Sequence, residues 1–175
     1  VQPMLTAAQR CAVEEFLRDF PKNEQLVLPE RLSKQLLALA GFPVSVPVVA
    51  HTAMQAADAA EAFGYPVALK VESYVIQHKT DVGGVRLGLQ DRAAVKEAFL
   101  QMDSAMKRLD PSACVTVQPM AQSGFEVMLG AARLHDTPLM AAGMGGIYAE
   151  AFQDMAFRLA PLQEGQAERM LQSLR

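Results

Sequence analysis

The residues best placed to do chemistry lie between Gly64 and Leu89: a lysine inside an apolar run, a histidine–lysine pair, and two adjacent glycines. Pro66 to Val71 has the length and composition of a buried strand, and Lys70 sits inside it. An ammonium among apolar side chains costs several kcal/mol unless a negative group meets it, so Lys70 invites an anionic ligand. His78, Lys79, Thr80 and Asp81 follow in a polar segment closed by Gly83-Gly84, and Val85 to Leu89 predicts a second short strand. Strand, glycine-containing loop and strand, with cations at both ends, suit the covering of phosphates. Glycine lets backbone N–H groups approach oxyanions closely, and lysine supplies a point charge. The other reading is a surface hairpin whose lysine extends its ammonium to water.

The second half of the chain carries a looser set. Cys114 to Val117 reads as a buried strand running into Gln118-Pro119-Met120. Gly124 to Ala132 reads as a strand with Glu126, Met128 and Gly130 on one face. Taken alone, Glu126 is an exposed strand carboxylate. Leu139 to Ala142 is a short strand, and Gly143-Met144-Gly145-Gly146 a tight turn that either offers N–H groups to phosphate or merely reverses the chain. If the next segment is extended, Glu150, Asp154 and Arg158 share a face, as a place for Mg²⁺ and a phosphoryl group or as a solvated ion-pair ladder.

Helices must hold these strands. Thr6 to Phe20 is amphipathic, with Thr6 as N-cap and Ala12, Val13, Phe16, Leu17 and Phe20 as its stripe; Pro21-Lys22-Asn23 ends it. Pro29 to Ala40 carries Leu32, Leu36, Leu37 and Leu39 and stops at Gly41. The prolines of the following Gly41 to Ala50 argue for an edge strand. Thr52 to Phe63 is Ala-rich, with Met54 expected in the core and His51 at the surface before it. Asp91 to Leu109 places Val95, Phe99, Met102 and Met106 on one face, Asp110-Pro111-Ser112 is a turn, and Glu164 to Leu174 is a terminal helix. The fold class is α+β in two lobes, divided near Gln118 to Ser123. Residues 1–27 are expected to be a linker helix from an upstream domain, 28–117 the lobe with Lys70, and 118–175 a partial second lobe.

Composition bounds the rest. A chain of 175 residues is long enough for one ordinary core or two small lobes. A net charge of −3 implies no general attraction to nucleic acid or membrane. Apolar residues reach 51% without a run long enough to span a bilayer, and the N-terminus lacks the pattern of a signal peptide. Two distant cysteines, Cys11 and Cys114, without metal spacing fit a reduced, cytoplasmic protein. The chain begins at Val1 and stops at Arg175 within a predicted helix, so a piece of something longer is expected.

Three motifs in order, "GYPVALKV…HKTDVGGVRLGL", "VTVQPMAQSGFEVMLGAAR" and "GMGGIYAEAFQDMAFRLAPL", resemble the ATP-grasp domain of the ADP-forming acyl-CoA synthetases, from about Leu28 to the C-terminus. That family includes acetyl-, aryl- and feruloyl-CoA synthetases and the synthetase-like half of a protein lysine acetyltransferase. The resemblance implies that Lys70 binds the α- and β-phosphates, with Lys79, Gly83 and Gly84 in a lid and Gly145, Gly146, Glu150 and Arg158 near the phosphates. It implies that backbone groups around Gln118 and Met120 read adenine, and that Glu126 binds the ribose hydroxyls, for which a bidentate carboxylate is suited. His78 would be catalytic, touching the γ-phosphate or carrying it briefly as neutral imidazole. ATP/ADP is the implied cofactor, with Mg²⁺ held mainly by ligands downstream of this chain. CoA-binding and phosphohistidine domains, in the same or a partner chain, are the implied partners.

The sequence departs from the family at Ser73-Tyr74-Val75-Ile76, where Ser-Pro-Asp-Ile is usual, so one acidic lid residue is absent. The turn at Leu134-His135-Asp136-Thr137 is also shorter than usual. The expected activity is that of the ATP-binding portion of an ADP-forming acyl-CoA synthetase, with no turnover by this chain alone. A regulatory nucleotide- or acyl-CoA-sensing domain of a lysine acetyltransferase is the alternative, and a carboxylate–amine ligase a third reading that these motifs disfavour. The acid remains open.

Overall fold

The computed structural model describes residues 5–20, 27–76, 79–146 and 154–174. Its contacts divide the chain into two units, one running to Ala121 and the other from Gln122 to Arg175.

In the first unit the order is α1 (Ala7–Arg18), α2 (Glu30–Leu39), β1 (Val48–Ala50), α3 (Ala53–Phe63), β2 (Val67–Glu72), β3 (Val85–Leu89), α4 (Arg92–Met106) and β4 (Cys114–Pro119). Three helices start where a side-chain oxygen can satisfy an otherwise orphaned amide: Thr6, Thr52 and Asp91 accept from the N–H of Gln9, Gln55 and Ala94. Gly64 closes α3 at φ 80°, a conformation costly for any side chain with a Cβ. The strands form one antiparallel sheet in the order β1-β4-β2-β3, which puts the proline-flanked β1 at an edge as expected.

Alternation along the central strands gives the sheet two unlike faces. Val67 and Leu69 of β2 and Val115 and Val117 of β4 pack under α3 and α4 with Ala56, Ala57, Ala60, Val95, Phe99 and Met102. Three alanines on α3 let that helix lie close to the sheet. Met54 is not in this core: with alanines filling the sheet-facing stripe, it sits on the flank at 53% exposure, its Sδ 2.8 Å from Arg92 Nη2. Val71, Ile76, Met106 and Ala113 form a smaller cluster beside the main one.

The opposite face is polar. It carries Lys70 and Glu72 from β2 and Thr116 and Gln118 from β4, with Lys70 opposite Thr116 and Ala68 opposite Gln118. Lys70 is therefore not immersed in the apolar core; period 2 sends it to the far side of the sheet. Helix α2, none of whose residues is fully buried, is tied to β2 through ion pairs.

In the second unit, β5 (Val127–Leu134), β6 (Thr137–Met144) and β7 (Met155–Leu159) pair antiparallel in that order, followed by α5 (Gln166–Gln172). His135 and Asp136 turn the β5–β6 hairpin, with Leu134 opposite Thr137 and His135 at φ 55°. Ala142, Ala156 and Met170 make the core, with Met140 and Leu174 against it. Two expectations change here. Gly143 and Met144 belong to β6 and not to a turn: Gly143 pairs with Met128 and Met155, and a Cβ on it would stand 2.8 Å from the Asp154 carbonyl. Strand β7 also makes Met155–Leu159 extended, where the sequence left an extended segment only as a condition.

Candidate functional site

On the polar face of the first sheet, an open pocket of about 490 Å³ is lined by Glu30, Lys70, Lys79, Thr80, Asp81, Val85 and Leu87. Strand β2 presents Lys70, and its C=O accepts from Thr116 Oγ1 at 3.0 Å, which fixes the strand locally. Lys70 Nζ lies 2.8 and 3.1 Å from the two carboxylate oxygens of Glu30, at the first position of α2. One turn along the helix, Lys34 Nζ reaches the same carboxylate at 3.0 Å and donates to Gln118 Oε1 at 2.8 Å. Burial alone would raise the Glu30 pKa, but hydrogen bonds from Lys70 and Lys34, reinforced by their charges, hold it down at about 2. A parallel pair, Arg31 with Glu72 at 3.0 Å, crosses in the opposite sense from helix base to strand acid.

Glu30, Arg31 and Lys34 are the residues that sequence reading missed. The available signal was weak: an acid and a base four residues apart at a helix start, a common surface pattern. Only the packing of α2 across β2 turns them toward Lys70, Glu72 and Gln118.

The structure brings Lys70 and Lys79 together as anticipated, but it gives the glycines a different task. Gly84 N–H donates to the Lys79 carbonyl at 2.6 Å and its C=O accepts from Val71 N–H at 2.8 Å; Gly83 N–H donates to the Thr80 carbonyl at 3.1 Å. These amides close the loop on itself and are not held out toward an anion. Glycine is still required: Gly83 has φ 72°, and a Cβ on Gly84 would stand 2.6 Å from Val71 Cγ1 and 2.9 Å from the Lys79 carbonyl. His78 lies outside the described residues.

At the end of β4, Gln118 is buried, and its side chain is engaged by Lys34. Met120 N–H donates to the Pro66 carbonyl at 3.2 Å, so one of the backbone groups expected to read adenine is already paired. In the second unit, Glu126 and the glycine pair converge. Gly145 N–H donates to the Glu126 carbonyl at 2.7 Å, and Gly146 (φ 62°) sits so close to the Glu126 carboxylate that a Cβ there would be 2.5 Å from Oε2. The Gly145 amide is thus taken by the chain. Arg158 lies exposed on β7 opposite Met140, donating to the neighbouring Phe157 carbonyl at 2.7 Å. Glu150, its proposed partner, lies outside the described residues.

Among the described residues no cluster of three or more His, Cys, Asp or Glu side chains could hold a metal ion, and no helix is long and apolar enough to cross a membrane.

Residues 19–175 match the family model described as ATP-grasp domain, and the chain belongs to that family. It is 35% identical to the ADP-forming acetate–CoA ligase II of Archaeoglobus fulgidus over 86% of its own length, and spans 22% of that ligase. It is 33% identical to the beta subunit of the ADP-forming acetate–CoA ligase I of Pyrococcus furiosus, covering 88% of this chain and 67% of the subunit. A solved acetyl-coenzyme A synthetase 1 from Ca. Korarchaeum cryptofilum, in complex with coenzyme A and Ca-AMPCP, superposes with a TM-score of 0.80 at 30% identity, covering 97% of this chain and 73% of that one. A second structure of that protein, with coenzyme A and Mg-AMPPCP, has its phosphohistidine segment pointing towards the nucleotide binding site; it matches at TM-score 0.76 and 29% identity, covering 93% of this chain and 71% of that one. The regulatory acetyltransferase reading gains nothing from these relatives.

Proposed function

We propose that this chain is the nucleotide-binding portion of an ADP-forming acyl-CoA synthetase. The parent reaction joins a carboxylic acid to CoA: ATP phosphorylates the acid to an acyl phosphate with release of ADP, and the CoA thiol then displaces inorganic phosphate. Phosphohistidine carries the phosphoryl group between sites in this scheme. The observation that supports the reading best is the pair Lys70 and Lys79 at one open pocket, on the sheet face not covered by α3 and α4.

The chain's own contribution is binding and charge. Lys70 and Lys79 would take the polyphosphate oxygens, and a partly desolvated site makes such contacts stronger than in water. Glu126 would accept hydrogen bonds from the ribose hydroxyls, beside Gly146, which lacks the Cβ that would crowd its carboxylate. Glu30 and Asp81 balance the two lysines at the pocket, which fits a polyphosphate bound with a divalent cation better than a bare polyanion. Mg²⁺ would reach the site with the nucleotide and neutralise phosphate charge there.

Calorimetric titration with Mg-ATP tests the reading. Micromolar-to-millimolar binding is expected, weakened at least tenfold by Lys70→Ala and by Glu126→Ala, with no thioester formed by this chain from acid, CoA and ATP. Binding that neither substitution alters would overturn the assignment. So would thioester formation by the chain alone.

A further inference from the structure

We propose that Glu30 is a positioning residue that holds the Lys70 ammonium at the pocket; the inference rests on the nucleotide reading for its purpose but not for its geometry. A lysine has four rotatable bonds in its stem, and an unrestrained ammonium loses that freedom on binding an anion. Here the freedom is already spent. Both oxygens of Glu30 engage Nζ, at 2.8 and 3.1 Å, and the side chain of Lys70 is only 25% exposed.

Glu30 is itself fixed from two sides. Lys34 holds the carboxylate at 3.0 Å and is anchored in turn on Gln118 at 2.8 Å. Next to it, Arg31 clamps Glu72 with Nε and Nη2 each 3.0 Å from Oε1. The N-terminal turn of α2 therefore grips β2 at two positions on one face, through pairs of opposite sense. The two ion pairs directed at one strand add to the packing that seats α2 across β2. The ammonium that would meet the phosphates then depends on an acid 40 residues earlier in the chain.

Two measurements test this. In the first, surface amines are reductively methylated and the rate at Lys70 is read by mass spectrometry, without nucleotide. Glu30→Gln should raise the Lys70 rate at least fivefold and leave Lys79 within twofold; an unchanged Lys70 rate overturns the proposal even if the protein binds nucleotide normally. In the second, Mg-ATP and adenosine affinities are compared in a double-mutant cycle of Glu30→Gln and Lys70→Met. Glu30→Gln should weaken Mg-ATP about tenfold, leave adenosine within twofold, and have no further effect once Lys70 is Met. Additive losses, or equal losses for both ligands, mark a merely structural acid and overturn the proposal. Wild-type protein that shows slow Lys70 methylation but no affinity for Mg-ATP would remove the nucleotide reading and leave the positioning geometry standing.

Discussion

Glu30 also sets a pH dependence. Its carboxyl titrates at about 2 in the fold against an ordinary 4.5, because Lys70 and Lys34 bind the charged form more strongly than burial disfavours it. A depressed folded pKa contributes stability that is complete above about 4.5 and is lost as pH falls from there toward about 2. With the carboxylate partly exposed and screened, the contribution is about 1 kcal/mol. Wild type should therefore exceed Glu30→Gln in urea stability at pH 6, and the gap should narrow below about pH 4.5 and close only near pH 2. A gap that stays constant across this range would show that the ion pairs add nothing. Asp110, whose carboxyl is held below the usual range by hydrogen bonds from Ser112 and Ser73, titrates in both proteins and cancels in the comparison.

Among the connections between elements, the one leaving β2 is fastened by a serine at its start. Ser73 Oγ donates to Asp110 Oδ2 at 2.6 Å and accepts from the N–H groups of Val75 and Ile76, both at 2.9 Å. Ser112 satisfies the other Asp110 oxygen through its hydroxyl and its amide. One serine thus ties the exit of β2 to the α4–β4 turn, and it is the serine with which the unusual Ser-Tyr-Val-Ile segment begins. The two residues that depart from the family pattern, Tyr74 and Val75, are 61% and 69% exposed, so the departure changes no buried contact of those side chains. Ser73→Ala should cost about 1–2 kcal/mol, because two amides lose their acceptor together. Chemical denaturation measures it. A loss below a few tenths of a kcal/mol would mean that water replaces the hydroxyl fully.

For the molecule as a whole, the two units have separate buried clusters, one centred on Leu69, Phe99 and Met102 and the other on Ala142, Ala156 and Met170. Phe99 is 2% exposed, and Phe99→Ala should destabilise the first unit by about 3–5 kcal/mol through lost burial and a cavity. Hydrogen exchange should then rise across β2 and β4 while the β5–β6 hairpin keeps its protection. Equal loss in both units would show that they unfold as one.

The helices with a polar N-cap and a clear stop, the edge placement of β1, the strand at Val85–Leu89 and the inward face of α4 were all legible in the sequence, because caps, prolines and apolar spacing act over a few residues. So was the family, and Lys70, singled out from the sequence, lines the pocket on the polar face. What local pattern could not supply was the company Lys70 keeps. An apolar run reads the same whether its lysine points into the core or away from it, and the sheet order and register decide that question. The amide partners of Gly145 and Met120 are likewise set by chain segments that meet only after folding. Sequence alone determined which residues are chemically capable; the tertiary structure decided that Glu30, an unremarked helix-start acid, completes the charge of Lys70, because ion pairs form between elements that packing has already brought within 3 Å.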